Sequence, residues 1–364
     1  MTHSLAEQTA VVARVARRRV RRLAELVTTP LVPQDFVDLV RPLNSRTDPR
    51  GRIESVVAET AEAATIRIRP GRGWHRPVAG QYVRIGVDVD GVRQWRAYSI
   101  SSRHDDGTFT ITVKAVPDGV VSSHLVDRAR AGTIVQLDQP AGEFVLPTPR
   151  PAKTLFITAG SGITPVISML RESLRELDDV VLVHSCPTAE DAIFGAELRA
   201  LAAARRIHLI ERFTTGRGRL TVDDIVAAVP DLAERSAWAC GPAPMLDALE
   251  QHYRESGMAD RLRTERFRAA PVVTGVGGSV TFTRTRTSVH TDGATSVLDA
   301  GEAAGVLMPS GCRMGVCFGC VVPLHRGAVR DLRNGDLTTA ADSGDGVLVQ
   351  TCVSAAAGAC EIAL

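Results

Sequence analysis

Three of the seven cysteines of this chain fall within nine residues, and their spacing constrains the fold more than any other feature of the sequence. Cys312, Cys317 and Cys320 follow the pattern C-x4-C-x2-C in the stretch SGCRMGVCFGC, and Cys352 provides a fourth thiol further along. Four thiolates at this spacing hold a [2Fe–2S] cluster in one well-defined class of iron–sulfur sites. The small residues between them let backbone N–H groups converge on the sulfurs. We therefore expect these four cysteines to be metal ligands.

A structural zinc site is the alternative for this cysteine pattern. Zinc also accepts four cysteines, but its ligands usually come as two close pairs. Here three candidate ligands share one loop and the fourth is distant, which favours the cluster. Cys360 lies outside the pattern and is expected to be a buried thiol.

The composition is that of a globular protein of two or three domains. The chain has 364 residues, is 44% hydrophobic and carries a formal net charge of +2, which implies no general attraction to nucleic acid. No apolar run is long enough to span a bilayer, and the first residues lack the apolar core of a signal peptide. We expect a cytoplasmic protein, in which disulfides are rare.

Residues 1–49 form a distinct basic segment. Five arginines lie at positions 17, 18, 19, 21 and 22, and the helical period places most of them opposite an arc that contains Val11, Val15 and Leu23. This pattern favours a helix that packs on the body of the protein with a solvated basic face. The alternative is a docking arm for an acidic partner or for the inner face of a membrane.

The rest of the chain predicts three domains and one linker. Residues 50–150 contain short β-rich runs separated by turns, which predict an antiparallel barrel. Residues 151–267 alternate five strands with four helices, which predicts a doubly wound parallel sheet. Residues 268–279 are glycine-rich and predict a linker. Residues 280–364 begin with a threonine-rich hairpin and a helix capped by Ser296, followed by the cysteine loop.

Two glycine-containing loops are candidate phosphate sites. In TAGSGITP, residues 158–165, Gly160 and Gly162 leave room for a pyrophosphate at the start of a helix, although Pro165 occupies the third position of the usual glycine fingerprint. In GVVSS, Gly119, Ser122 and Ser123 precede a short helical run. Either loop alone is a weak signal, because glycine turns begin many helices.

Two further stretches contain candidate cofactor-binding or reactive side chains. In RAYSIS, Arg96 and Tyr98 share one face of a strand, where an arginine can neutralise a phosphate and a tyrosine can stack on a flat ring. In ACGPAPML, Cys240 ends the fourth strand of the predicted sheet, at the edge where such sheets bind ligands. The alternative is that Cys240 is a small buried hydrophobic residue.

Taken together, these motifs resemble the ferredoxin–NADP reductase superfamily, in its branch with a C-terminal plant-type ferredoxin domain. The resemblance covers residues 50–364 and rests on RAYS, GVVSS, AGSGITP, CGP, ERF and the four cysteines, in that order. The stretches VTTPLVPQDF and GCRMGVC are most similar to actinobacterial reductases that serve acyl-lipid desaturases. The resemblance implies a flavin-binding barrel, a nicotinamide domain and a β-grasp ferredoxin domain.

The resemblance also implies roles for individual residues. The expected catalytic residues, around the flavin and the nicotinamide, are Tyr98, Ser99, Cys240 and Glu265. The expected FAD-binding residues are Arg96, Tyr98, Ser99, Val113, Lys114, Gly119, Ser122, Ser123 and Phe267. The expected nicotinamide nucleotide loop comprises Gly160, Gly162, Thr164 and Pro165.

The choice between NADPH and NADH depends on the residues after the second strand of the nucleotide domain. Family members that select NADPH often carry an arginine there, whereas this chain reads HSCPTAED. Ser185 could bond a 2′-phosphate, and Arg217 or Arg219 could clamp it. No acidic residue ends the strand to hold a free ribose hydroxyl, so the sequence favours NADPH over NADH.

The expected function is an electron transfer that splits a hydride into single electrons. They would pass from NADPH to FAD, then to the [2Fe–2S] cluster, and then to an acceptor oxygenase or membrane desaturase. The acceptor would dock near Met314, Val316 and Phe318, and the protein would be a monomer. The alternatives are an FMN-containing reductase of an aromatic-ring or steroid oxygenase, and an iron–sulfur redox sensor.

Overall fold

The computed structural model describes residues 42–44, 49–89, 91–103, 107–117, 119–267, 274–311, 313, 315, 318–341 and 346–364. Nearly all of the basic segment 1–49 lies outside the described residues. So do two predicted metal ligands, Cys312 and Cys317, and two predicted docking residues, Met314 and Val316.

The first domain is a six-stranded antiparallel barrel. Its strands are β1 Arg50–Thr60, β2 Ala63–Pro70, β3 Tyr82–Val89, β4 Val92–Ser99, β5 Phe109–Lys114 and β6 Ile134–Leu137, in the order β4-β3-β6-β1-β2-β5. A bridge between Ile100 and Ile111 joins the two ends of this order, so the sheet closes. The helix α1 Val120–Ser123 continues into a π-helix, His124–Arg128. The predicted barrel is confirmed.

Alternation of side chains builds the barrel core. In β2, Ile66 and Ile68 are buried whereas Arg67 between them is exposed, because successive side chains of a strand point to opposite faces. Buried residues of β3 and β5 meet those of β2 inside the barrel, and Leu125 packs against the same core.

The second domain is a five-stranded parallel sheet. Its strands are β7 Lys153–Ala159, β8 Asp179–Cys186, β9 His208–Phe213, β10 Ser236–Cys240 and β11 Leu262–Glu265, in the order β11-β10-β7-β8-β9. Its helices are α2 Ile163–Ser173, α3 Gly195–Ala203, α4 Val222–Ala228 and α5 Ala243–Glu255, with a kinked turn at Thr214–Arg217. The predicted doubly wound sheet is confirmed, and its strand order reverses between β7 and β10. Ligands of such sheets bind at the carboxyl ends of the strands at this reversal.

Side chains of the second domain hold it against the barrel. The amide of Gly80 donates to Ser168 Oγ of α2 at 2.9 Å, and Trp238 Nε1 of β10 donates to the Val145 carbonyl at 3.1 Å. Arg171 Nη1 of α2 donates to the Ser101 carbonyl at 2.6 Å. Because Ser101 follows β4, these contacts fix the end of β4 relative to the nucleotide domain.

The third domain is a β-grasp sheet covered by one helix. Its elements are β12 Gly275–Phe282, β13 Thr287–Gly293, α6 Val297–Ala303, β14 Val321–Asp331, β15 Leu337–Ala340, β16 Val347–Gln350 and β17 Ser354–Ile362. The strand order is β13-β12-β17-β14-β15, with β16 also paired to β14, and β12 and β17 run parallel. Ser296 Oγ accepts from the Asp299 amide at 3.1 Å, which confirms the predicted helix cap.

The predicted linker 268–279 is wrong over its last part, because residues 275–279 belong to β12. Its glycines serve close strand contacts instead of chain flexibility. A Cβ on Gly278 would lie 1.9 Å from the Gly358 carbonyl oxygen, and Gly277 has φ +75° at an irregularity in the pairing with β13. Residues 268–273 lie outside the described residues.

The remaining helical elements are short 3-10 turns. They are Pro42–Asn44, Gly160–Gly162, Leu174–Glu176, Leu232–Glu234 and Ala259–Arg261. Within the described ranges, the structure contains no helix whose length and apolar character would carry it across a membrane.

Candidate functional site

Cys240 and Glu265 lie side by side at the carboxyl edge of the nucleotide sheet. They end β10 and β11, whose parallel register pairs them directly. Burial raises the pKa of the Cys240 thiol well above its usual range, and Glu265 adds to the effect. Burial also raises the pKa of Glu265 to about 8, and its Oε2 has no hydrogen-bond partner among the described residues. Both groups therefore hold their protons at neutral pH.

Ser99 and Tyr98 lie at the end of β4. Two residues further on, the Ser101 carbonyl accepts the hydrogen bond from Arg171 of α2. Ser99 is only 5% exposed, and its buried Oγ has no hydrogen-bond partner among the described residues. Tyr98 is half-buried; burial raises its pKa, and the charge of Arg96 opposes that rise. Tyr98 and Arg96 pair with Val83 and Ile85 of β3, so the two share one face, as predicted.

The GVVSS loop is held by its own hydrogen bonds. Ser122 Oγ donates to the Gly119 carbonyl at 3.1 Å and accepts from the Val116 amide at 3.3 Å. A Cβ on Gly119 would lie 2.3 Å from Ser122 Oγ, so a larger residue there would force Ser122 out of its hydrogen bonds. Ser123 is half-buried on α1.

Two of the predicted flavin-binding residues use their side chains for contacts within the barrel. Val113 is 1% exposed in the barrel core, so only its backbone is available to a ligand. The Lys114 ammonium lies 3.3 Å from a carboxylate oxygen of Glu62.

The nucleotide loop uses its two glycines differently. Gly160 has φ +54°, and a Cβ there would meet no atom within 4 Å, which leaves open space at the helix start. A Cβ on Gly162 would lie 2.0 Å from the Cys240 carbonyl oxygen. The missing side chain of Gly162 thus lets the β7 and β10 loops touch, a different role from the predicted approach to pyrophosphate. Thr164 Oγ1 donates to the Ser161 carbonyl at 3.0 Å, and Pro165 is buried.

The loops after β8 and β9 lie together. The Thr215 amide donates to the Pro187 carbonyl at 3.0 Å, which places the loop that carries Arg217 and Arg219 beside the end of β8. Both arginines are exposed, while Ser185 is buried at 5% exposure. The structure therefore brings the three candidate 2′-phosphate residues to one corner of the sheet.

A buried histidine beside this corner was not predicted as a site residue from the sequence. His184 of β8 is 0% exposed, and its Nδ1 lies 2.8 Å from Thr158 Oγ1 of β7. Burial lowers the pKa of His184 to about 4, an effect that Glu211 opposes and Arg199 reinforces. Its position in the apolar run VVLVHS is the only signal in the sequence.

The third domain brings two of the four predicted metal ligands together. Cys320 and Cys352 are 1% and 7% exposed. The amide and Oγ1 of Thr351 donate to the Cys320 carbonyl at 3.2 Å and 3.0 Å, which joins the chain segments that carry the two ligands. Phe318 is 69% exposed on the same loop.

These sites fit the groups that the sequence predicts. The unpartnered Ser99 Oγ and Glu265 Oε2 leave buried polar atoms for a flavin and a nicotinamide to satisfy, and the space at Gly160 suits a phosphate. Two buried free cysteines on joined chain segments suit an iron–sulfur cluster. Fold and site together define an NAD(P)H-dependent flavin and iron–sulfur oxidoreductase that transfers electrons.

Comparison with known proteins places this class in a family. Residues 43–146 match the oxidoreductase FAD-binding domain, residues 156–251 the oxidoreductase NAD-binding domain and residues 280–357 the 2Fe-2S iron-sulfur cluster binding domain. The chain belongs to the ferredoxin–NADP reductase family, in the branch with a C-terminal [2Fe–2S] domain. It therefore uses FAD, a pyridine nucleotide and a [2Fe–2S] cluster, as predicted.

Individual relatives cover most of the chain. An "NADPH oxidoreductase" of Mycobacterium tuberculosis is 50% identical over 353 residues, which are 93% of this chain and 90% of the relative. The ferredoxin reductase component of 3-ketosteroid-9-alpha-monooxygenase from Mycolicibacterium smegmatis is 30% identical over 80% of this chain and 86% of its own. The solved structure of phthalate dioxygenase reductase aligns with a TM-score of 0.58 at 21% identity, over 86% of this chain and 97% of that one, and supports the fold.

Proposed function

We propose that this protein oxidises NADPH and delivers single electrons to an oxygen-activating iron enzyme, through FAD and a cluster held by Cys312, Cys317, Cys320 and Cys352. The observation that carries the proposal is a set of three groups: the buried Ser99 and Cys240, and the half-buried Glu265, whose Oε2 is buried. Cys240 and Glu265 pair in register, and the bond from Arg171 to the Ser101 carbonyl ties the segment after Ser99 to the nucleotide domain. Such a set suits hydride chemistry, which requires a dry site and closely positioned groups.

Bound FAD would supply the two-electron to one-electron conversion that neither the nicotinamide nor the cluster can perform. The residues of this chain position and protect that chemistry. Ser99 Oγ is free to donate a hydrogen bond to the reacting edge of a flat ring next to Tyr98. The neutral Cys240 thiol and Glu265 carboxyl present no charge to an incoming nicotinamide, and the Glu265 carboxyl holds a proton that it can donate.

The coenzyme is NADPH in this proposal. Arg217 and Arg219 project from a loop that contacts Pro187, so they can reach a phosphate bound near Ser185. Guanidinium groups bind phosphate through paired hydrogen bonds. The relative that is 50% identical is named an NADPH oxidoreductase, which supports the same choice.

The acceptor is an oxygenase in its broad class, because several relatives are named as reductase subunits of monooxygenases. A fatty-acyl desaturase is the narrower proposal, and it depends on the resemblance of residues 27–36 and of the cysteine loop. The docking surface would be centred on Phe318, an aromatic side chain that is 69% exposed beside the cluster ligands. Phe318 also has φ +56°, an uncommon conformation for a residue that is not glycine.

Anaerobic titration of the purified holoprotein with each nicotinamide tests this proposal. NADPH should bleach the flavin first and then the cluster, and NADH should require a much higher concentration. Exchange of Arg217 and Arg219 for glutamine should lower the affinity for NADPH more than the affinity for NADH. Arg205→Gln, at the opposite end of β9, is the matched control. Equal use of both coenzymes by the wild type would exclude the NADPH assignment.

The acceptor is tested by turnover with two purified partners, a membrane acyl desaturase and a soluble aromatic-ring oxygenase. Faster coupled turnover with the desaturase supports the narrower proposal. Faster turnover with the ring oxygenase excludes it and keeps the broad class.

A further inference from the structure

The cluster loop is fixed from outside by two polar side chains. Gly315 lies between the predicted ligands Cys312 and Cys317, is buried and has φ +74°. Its carbonyl oxygen accepts from Arg333 Nη1 at 3.1 Å and from Gln350 Nε2 at 2.9 Å. A carbonyl oxygen carries partial negative charge, which would repel the anionic sulfurs of a cluster, and these two donors engage that charge.

The two clamping residues come from different places in the domain. Arg333 follows β14, and Gln350 ends β16, two residues before Cys352. Arg333 Nη2 also lies 3.4 Å from Gln350 Oε1, so the two side chains support each other. A Cβ on Gly315 would lie 2.5 Å from Arg333 Nη1, which shows how closely the guanidinium packs on the loop.

We propose that Arg333 and Gln350 position the cluster loop through Gly315, and that the charge of Arg333 sets the reduction potential of the cluster. The proposal rests on the ligand assignment made above. Reduction of a bound cluster by the flavin would add one electron and one negative charge to the cluster, with no bond formed or broken. A guanidinium held against the loop stabilises that added charge and so makes the cluster easier to reduce.

Asp331 opposes the effect of the Arg333 charge on the cluster. Its Oδ2 lies 2.6 Å from Arg333 Nη2 and offsets part of the guanidinium charge. Asp331 is the main cause of the raised pKa of Arg333, and the nearby Cys352 and Cys320 sulfurs raise it further. The pair therefore predicts opposite shifts for its two members: loss of Arg333 should lower the potential, and loss of the Asp331 charge should raise it.

The test is a redox titration of the full-length holoprotein, followed by the electron paramagnetic resonance signal of the reduced cluster. For Arg333→Gln we expect a roughly three- to tenfold fall in the ratio of reduced to oxidised cluster at a fixed potential, where tenfold corresponds to about 59 mV. Asp331→Asn should shift the ratio in the opposite direction. Arg333→Lys, which keeps the charge, should recover most of the loss.

Arg284→Gln is the matched control. Arg284 is exposed, and its amide bonds Leu364 beyond the far end of β17. Ser354, two residues after Cys352, begins that strand about 26 Å away. The reduction potential of the cluster in Arg284→Gln should equal that of the wild type. Unchanged potentials in Arg333→Gln and Asp331→Asn, with the cluster signal intact, would overturn the proposal. An absent cluster signal in the wild type would instead overturn the ligand assignment on which it rests.

Discussion

The flavin–nicotinamide site and the cluster loop differ in what they show to solvent. At the first site Cys240 is 0% exposed and Ser99 is 5% exposed. At the second, Cys320 is equally buried, but Phe318, two residues earlier, is 69% exposed. A hydride needs direct contact between reacting atoms in a dry site, whereas a single electron can cross a short stretch of protein to a docked partner. The contrast agrees with the proposed function, in which the hydride reacts at the first site and single electrons leave from the second.

Removal of a cluster ligand should separate the two sites most completely. A serine oxygen is a poor substitute for a thiolate ligand, so Cys352→Ser should lower acceptor reduction by at least about a hundredfold. Flavin reduction by NADPH should stay near the wild-type rate, as followed by rapid-mixing absorbance. Cys360→Ala is the control, because Cys360 is buried in the same core outside the ligand pattern and should keep the cluster. Acceptor reduction by Cys352→Ser at the wild-type rate would contradict the electron path.

Loss of the Ser99 hydroxyl should affect only the flavin–nicotinamide site. A hydrogen bond directed at a reacting ring contributes about a hundredfold to rate, so Ser99→Ala should slow flavin reduction by that order. The final size of the cluster signal should be unchanged, while its appearance should be slowed together with flavin reduction. In Ser101→Ala the lost hydroxyl bonds Thr110 and Thr112 inside the barrel, so that variant should lose stability and keep the rate. Equal slowing in both variants would mean that Ser99 serves the fold alone.

The raised pKa of Glu265 predicts a pH dependence confined to the same site. Its carboxyl keeps a proton up to about pH 8 in the folded protein, so the neutral form is present at pH 7 and is lost as the pH rises through 8. The rate of flavin reduction should therefore fall about tenfold between pH 7 and 9. Glu265→Gln, which cannot ionise, should flatten the profile. A wild-type rate that rises over this range would contradict the role given to the carboxyl.

The burial of Glu265 also gives the sign of its effect on stability. Its pKa is higher in the folded protein than the usual 4.5 of the unfolded chain, so the folded state binds the extra proton between these values. The free energy of unfolding should fall as the pH rises through this window, and less so in Glu265→Gln.

The smallest effect is expected for the exposed Phe318, at the proposed docking surface. Phe318→Glu should weaken acceptor binding by about tenfold, because exposed aromatic residues often carry interface affinity. The measured quantity is the KM for the acceptor, with flavin reduction as the internal reference. Val57→Glu, an exposed substitution on the barrel, should leave both unchanged. A loss of flavin reduction equal to the loss of acceptor reduction would refute the docking role.

Local sequence patterns predicted the three domains and the Ser296 cap because each depends on residues close together in the chain. The prediction of a linker was wrong for residues 275–279, because a glycine-rich sequence is compatible with both a linker and a tightly packed strand. The clamp of Arg333 on Gly315 and the pair of His184 and Thr158 were missed, because their members are 18 and 26 residues apart. The close approach of Gly162 to the Cys240 carbonyl was missed as well, because Cys240 ends a strand far along the chain.

Rapid freezing after anaerobic mixing with NADPH tests the central claim most directly, because the oxidation states of flavin and cluster can be read in the same sample. We expect the flavin to be reduced before the cluster signal appears in the wild type, and the flavin alone to be reduced in Cys352→Ser. A cluster signal that rises before the flavin is reduced, or that persists in Ser99→Ala at the wild-type rate, would contradict the assignment of hydride chemistry to the buried site and electron exit to the cluster loop.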